Sequence, residues 1–271
     1  HKQQKINEKA KHRIIGLTLE TRPDFINERN IAVMRELGCT RVELGVQTTH
    51  EDILKLIKRG HTAEQVKQAT KLLKNYGFKV DYHLMPMLPG STPKKDLEML
   101  KEIFSDADFR PDMIKIYPCS VVKNSELYTW FQEGKYQAYP TKKLLHILKK
   151  FKATVPRYVR ISRLIRDIPG QYIQEGNKVT NLRQVIQEEM RKEGLKCNCL
   201  RCREIGHVDA NLKSKISNHK LKMFIDEYKA SGGTEYFLSF EDCERNVVFG
   251  FCRLRINGPS PFLRGNAKGL P

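Results

Sequence analysis

Thr40-Arg41-Val42-Glu43-Leu44-Gly45-Val46-Gln47-Thr48 is the stretch whose reading decides the fold. Gly38 ahead of it suits a helix C-cap, and the hydroxyls of Thr48 and Thr49 behind it suit the start of the next helix. Between those ends, a period of two puts Val42, Leu44 and Val46 on one face and Glu43, Gly45 and Gln47 on the other. A strand covered on both sides is normally apolar on both faces, because an unpartnered carboxylate or amide is costly to bury. Here only one side is apolar. The division recurs in Ile14–Arg22, with Thr18, Glu20 and Arg22 against Ile15, Leu17 and Leu19. Lys79–Pro86 sets Asp81, His83 and Met85 against Val80, Tyr82 and Leu84, and Met113–Cys119 sets Lys115, Tyr117 and Cys119 against Ile114, Ile116 and Pro118. Four strands of this kind predict the wall of a barrel with an ionisable lumen.

Helical signals separate the strands. Residues 1–12 read as the end of a helix. Asp24 suits the cap of a helix that stops at Gly38, and Thr62-Ala63-Glu64-Gln65 is a capping box for a helix closed by Gly77. Helical spacing returns in Leu97, Leu100, Ile103 and Phe104. Strand-helix alternation means βαβ units and a parallel sheet, which binds ligands at the carboxyl ends of its strands. Met85-Pro-Met-Leu-Pro-Gly90 is a rigid exit from one such end. After Cys119 the alternation decays. A short helix over Ser125–Gln132, with Tyr128, Trp130 and Phe131 as a packing cluster, precedes an amphipathic helix carrying Leu144, Leu145, Ile147, Leu148 and Phe151. A further helix spans Asn181–Glu193. Thr234–Phe240 and Asn246–Arg255 form a hairpin, a unit marginal in water by itself.

The 271 residues include 49 Lys+Arg against 31 Asp+Glu, a formal charge of +18. That excess favours a polyanionic partner, nucleic acid ahead of an acidic membrane, over a merely solvated basic face. It is densest over 141–170, where nine Lys or Arg meet one acid, Asp167. No apolar run is long enough to span a bilayer, no signal peptide opens the chain, and seven cysteines suit a reducing compartment, so the expected location is cytoplasmic.

Gly16-Leu-Thr-Leu-Glu-Thr-Arg-Pro-Asp24, Glu43-Leu-Gly-Val-Gln47, Arg59-Gly-His61, Lys115-Ile-Tyr-Pro118, Arg166-Asp-Ile-Pro169 and Cys202-Arg-Glu-Ile-Gly206 together resemble the catalytic subunit of Elongator, archaeal or bacterial type. The resemblance runs from about Arg13 to Arg255. It implies a radical-SAM barrel joined to a GNAT-type acetyltransferase, which uses S-adenosylmethionine, a 4Fe-4S cluster and acetyl-CoA to build a carboxymethyl group on the wobble uridine of tRNA. Further Elongator-type subunits or a homodimer are the protein partners it implies. A three-thiolate cluster loop and a Gly-rich CoA pyrophosphate turn are not found here, so the chain reads as the middle of such an enzyme, inactive alone. The expected organisation is a partial (βα) barrel over 1–120, a basic helical extension over 121–195, a zinc-binding linker over 196–230 and the first hairpin of a GNAT-type domain over 231–271. The competing class is a non-catalytic scaffold that holds tRNA or a partner.

Within that frame Glu20, Arg22, Gln47 and His83 are expected to meet S-adenosylmethionine. The alternative is an internal Glu20–Arg22–Gln47 network that keeps the lumen satisfied. Lys115 and Tyr117 either reach substrate or close the barrel floor. Cys197, Cys199 and Cys202 suit a structural zinc, whose fourth ligand is Cys119 or, second, His207; free thiols are the alternative. Lys149, Lys150, Arg160, Arg163, Arg166, Arg201 and Arg203 are the expected tRNA contacts.

Overall fold

A computed structural model describes residues 1–165, 167–208 and 221–258. Its centre is a five-stranded parallel sheet in the order β1 (Leu17–Thr21), β2 (Cys39–Gln47), β3 (Lys79–Leu84), β4 (Met113–Ile116) and β6 (Arg160–Arg163). Strand order follows chain order, each new strand joining the same growing edge, as in a barrel wall. Helices α2 (Glu28–Glu36), α4 (Ala63–Asn75), α5 (Pro93–Ser105) and α7 (Thr141–Thr154) lie among the crossovers, with α1 (Lys2–Lys9) and the short α3 (Glu51–Leu56) beside them. Val42, Leu44, Val46, Val80, Tyr82, Leu84, Ile114, Ile116 and Ile161 are fully buried on the outer face of the sheet. Each such side chain contributes roughly 1.5–3 kcal/mol.

Local chemistry fixes the helix starts. The Thr62 side chain accepts from the Gln65 N–H while the Gln65 side chain reaches back to the Thr62 N–H. Thr92 caps α5 and Ser125 caps α6 (Glu126–Gln132). Asp24 does not cap α2. It sits in a 3-10 turn at Pro23–Phe25, and Asn27 accepts from the Asn30 N–H instead. The first strand is also shorter than the sequence pattern suggests: Ile14 and Ile15 are 74% and 94% exposed, and Asn7 holds the backbone of Ile14 away from the sheet.

Two boundaries move. Arg160–Arg163 pairs with β4 as the fifth strand, so the sheet continues past residue 120 into the expected extension. The four residues of β6 are too few to show a period. The C-terminal hairpin is a three-stranded antiparallel sheet, with β9 (Gly233–Glu241) between β8 (Lys222–Ala230) and β10 (Val248–Asn257). In β8, Phe224, Asp226 and Tyr228 turn inward while Met223 and Ile225 stay exposed. A small antiparallel pair, β5 (Ser120–Val122) with β7 (Ile173–Gly176), and α8 (Leu182–Lys192) complete the middle of the chain.

A buried ionic joint ties the C-terminal sheet to the barrel. Lys74 of α4 lies 3.1 Å from Asp112 and 3.4 Å from Glu235 of β9. Arg253 of β10 lies 3.1 Å from Asp112, and Arg255 lies 2.9 Å from Glu235. Tyr158 and Tyr228 stack at 3.8 Å across the same seam. Nearby, α9 (Leu200–Arg203) is bolted down at both ends: the Leu200 N–H donates to Val159 at 2.8 Å, and Arg203 pairs with Glu241 at 2.7 Å.

Candidate functional site

Strand register places Glu20, Glu43 and Asp81 side by side across β1, β2 and β3, with His83 beside Lys115 one step towards the carboxyl ends. Glu43 is the hub. Its carboxylate accepts from His83 Nε2 at 2.8 Å and from the Lys115 ammonium, while Arg41 stands 3.8 Å away. Burial pushes the Glu43 carboxyl up, but the His83 and Lys115 hydrogen bonds and charges outweigh it and hold the group at about 2. His83 Nδ1 faces Glu20 at 3.2 Å, so the ring lies between two carboxylates and donates to both only when doubly protonated. Glu20 itself leaves 65% of its side chain open to solvent at the mouth. Tyr117 meets the His83 ring edge-on at 5.3 Å.

Asp81 completes the row differently. It is wholly buried, and among the described residues neither carboxyl oxygen has a hydrogen-bond partner. Burial, and then the charge of Glu43, push it up to about 7.

At the carboxyl end of β2 the chain turns with Gln47 at φ 68°. The Arg59 guanidinium lies across this end and donates to the Gly45 carbonyl at 3.0 Å, while its buried Nε has no partner among the described residues. A Cβ at position 45 would stand 2.3 Å from the Arg59 guanidinium and 3.0 Å from the Gln47 amide, so a larger residue there would push the Arg59 side chain off its present position. Arg22, expected to pair within the lumen, turns away: it binds Asp24 at 3.0 and 2.5 Å and covers the Phe25 ring. The alternative Glu20–Arg22–Gln47 network is therefore not formed; Glu20, His83, Glu43 and Lys115 make the lumen network instead. Glu43 is visible in the sequence as a polar-face residue, and Arg59 within the Arg59-Gly-His61 motif, yet no pattern there singles out either as a site residue.

The Sγ atoms of Cys197, Cys199 and Cys202 lie within 4.8 Å of one another. Lys152 of α7, fully buried, points its ammonium at them, 3.3 Å from Cys197 and 3.9 Å from Cys202. Hydrogen bonds from the Cys197 and Cys202 thiols pull the Cys199 thiol well down, with Lys152 adding to the effect. Cys119 is not in this group. It lies at the carboxyl end of β4, where its N–H donates to Pro86, whereas the triad abuts Val159 before β6, at the opposite edge of the sheet. His207 is also outside it, 3.8 Å from Glu204.

Of the expected tRNA contacts, Lys150 is exposed and Arg201 half-buried, and Arg163 is exposed beside Asp167 at 2.5 Å. Lys149 is held by Glu189 and Glu193 at 2.9 and 2.5 Å. Arg160 pairs with Glu204. Arg203 is buried against Glu241, so it presents no surface charge. Arg166 lies outside the described residues.

Residues 1–103 match the radical SAM superfamily, and residues 111–192 match the radical SAM C-terminal domain. The tRNA uridine(34) acetyltransferase of Methanocaldococcus infernus is 48% identical over 252 residues, 93% of this chain and 47% of that protein. Human Elongator complex protein 3 is 36% identical over 251 residues, 93% of this chain and 46% of that protein. The chain belongs to the Elongator branch of the radical SAM superfamily. A solved structure of the archaeal Methanocaldococcus infernus Elp3 with an N-terminal deletion (1–46) superposes with a TM-score of 0.89, covering 94% of this chain and 60% of that one. The chain spans about half the length of the curated relatives it matches. Radical SAM chemistry implies S-adenosylmethionine and a 4Fe-4S cluster held by thiolates close to it. The cysteine triad sits at the sheet edge opposite Arg59, Gln47 and Glu20, so it does not fit that cluster. Three thiols facing one ammonium fit a separate site for a soft cation. Among the described residues no helix is long and apolar enough to cross a membrane.

Proposed function

We propose that this chain is the barrel core of an enzyme that modifies uridine 34 of tRNA by radical SAM chemistry. The parent adds a carboxymethyl group derived from acetyl-CoA. The observation that carries this reading is the lumen row at the carboxyl edge of the sheet, where Glu20, Gln47 and Arg59 converge from two strands and a loop. S-adenosylmethionine bound there would supply a sulfonium whose carbon–sulfur bond, given one electron by the 4Fe-4S cluster, would part into methionine and a carbon radical. Arg59, with its unpartnered Nε, suits the ligand's carboxylate, and the open Glu20 carboxylate suits its ammonium. Glu43 and Lys115 orient His83, which stands between these groups and the buried floor. The 48% identity with a tRNA uridine(34) acetyltransferase supports the substrate class.

Equilibrium dialysis with radiolabelled S-adenosylmethionine tests the site. Arg59→Ala should raise Kd roughly tenfold to a hundredfold, the worth of a charge-assisted pair. Wild-type protein that takes up no S-adenosylmethionine would leave the scaffold reading in its place.

For the remaining segments, residues 1–163 form the barrel, 164–195 its extension and 196–208 a zinc-binding linker, with Lys222–Asn257 the opening sheet of a GNAT-type domain. In the linker, Cys197, Cys199 and Cys202 hold one structural zinc, and the Lys152 ammonium offsets the negative charge of three thiolates on one divalent ion. Elemental analysis should return close to one zinc per chain, falling below a tenth in Cys199→Ser. Iron in its place, or an unchanged zinc content in the variant, would refute the assignment.

tRNA is held by cations that no acid buries, Lys150, Arg163 and Arg201. Replacing all three with alanine should flatten the slope of log affinity against log salt by roughly 0.7 to 0.9 for each phosphate no longer neutralised. A slope unchanged from wild type would move the tRNA site elsewhere.

A further inference from the structure

The mouth of the barrel opposite the lumen carboxylates holds a cavity of about 310 Å³. Arg41, Lys79 and Arg160 reach it from the amino ends of β2, β3 and β6, and Arg253 reaches it from β10. Register sets Arg41 beside Lys79, and Arg160 beside Met113. Three of these cations are anchored by the protein. Arg41 donates to Thr18 at 3.0 Å, Arg160 pairs with Glu204, and Arg253 pairs with Asp112 and donates to the Tyr158 carbonyl at 2.5 Å. Lys79 is different. Among the described residues its ammonium has no hydrogen bond and no ion pair, only the Phe251 ring at 6.0 Å. The buried Arg253 Nε is likewise without an acceptor.

Such convergence is costly without an anion. Partial burial and then the charge of Arg253 pull the Lys79 ammonium down from its ordinary range; Asp112 opposes them, and Arg41 and Arg160 add to the fall. A concave wall of one sign focuses its field inward and raises the local concentration of opposite charge. Arginines held by other partners are pre-oriented donors, and a lysine beside them acts as a mobile point charge, a combination suited to phosphate oxygens. The wall is not wholly polar: Phe251 lines both this cavity and an adjoining one of about 370 Å³ that also holds Asn75 and Asn257. An exposed ring next to a cationic cup is where a base stacks while its phosphate is held.

We propose that this mouth is a phosphate-binding pocket for a nucleotide, with the phosphoryl group among Arg41, Lys79, Arg160 and Arg253 and the base against Phe251. It is separate from the S-adenosylmethionine site, which lies at the other end of the strands, and does not depend on it. The phosphate belongs either to an RNA strand or to a free nucleotide.

Calorimetric titration with inorganic pyrophosphate at low salt tests the pocket. Wild-type protein should bind one equivalent saturably. Lys79→Gln should bind about tenfold more weakly, the worth of one charge-assisted hydrogen bond. Lys94→Gln, exposed on α5 and lining neither cavity, should match wild type. Among the described residues Lys79 makes no hydrogen bond or ion pair that its variant could break, so Lys79→Gln should keep the wild-type melting temperature, which a thermal scan checks. Absent saturation, or equal affinities for wild type and Lys79→Gln, would overturn the pocket. Competition then identifies the source. Displacement of pyrophosphate by tRNA alone points to an RNA phosphate, and displacement by adenosine 3′,5′-bisphosphate alone points to a free nucleotide. Displacement by both supports the pocket as a general nucleotide phosphate site, and displacement by neither overturns it.

Discussion

Asp112→Ala should cost the folded protein about 3–5 kcal/mol, because it removes the anion shared by two buried cations. One oxygen of Asp112 meets Lys74 and Arg253, each at 3.1 Å, and the other accepts the Val80 N–H at 2.9 Å. Asp112 and Lys74 are each 3% exposed, so water does not replace what the substitution deletes. Lys74 would keep only Glu235 at 3.4 Å, and the Val80 N–H would lose its acceptor. Burial alone would raise the Asp112 carboxyl, but the charges of Lys74 and Arg253 bring it below its ordinary value. The sign follows: this contribution is present above the unfolded-state value near 3.8 and is lost as pH falls through the depressed folded value. Urea unfolding at pH 7 measures the effect. Asp112→Asn, which keeps an acceptor and loses the charge, should fall between wild type and alanine. A loss under about 1 kcal/mol for alanine would mean that water penetrates the joint.

Asp81→Asn should do the opposite, stabilising the protein at high pH. The Asp81 carboxyl is raised from 3.8 to about 7, so the folded state keeps a proton that the unfolded chain has released. Stability therefore declines as pH rises from about 4 to about 7, and above that the full deficit applies, on the order of 4 kcal/mol. Asparagine is neutral throughout and of similar size. The variant should gain up to that amount at pH 8 and nothing at pH 4, so two denaturation curves suffice. A gain of equal size at both pH values would show that shape, not charge, is what Asp81 contributes.

The period-two contrast was legible because a barrel wall has only two faces, and the structure buries Val42, Leu44 and Val46 as that pattern requires. Caps were legible where side chain and backbone are close in sequence, as at Thr62 and Gln65. What stayed hidden depends on distance along the chain. Arg22 and Glu20 both lie on one predicted polar face, but a proline at position 23 begins a 3-10 turn and hands Arg22 to Asp24. Basic density over 141–170 said nothing of which cations meet acids: Lys149 finds Glu189 from α8, and Lys152 finds thiols 45 residues on. Cys119 was a reasonable ligand by residue type, yet strand direction places it at the wrong edge of the sheet.

The seam between the barrel and the C-terminal sheet carries a thermal consequence. Lys74, Asp112, Glu235, Arg253 and Arg255 join it largely by charge. Withdrawing ions from water becomes less unfavourable on heating, whereas the gain from burying apolar surface levels off. The seam should thus hold comparatively well in hot solution and be at its weakest near freezing, so that cold rather than heat is the condition under which the two sheets part first.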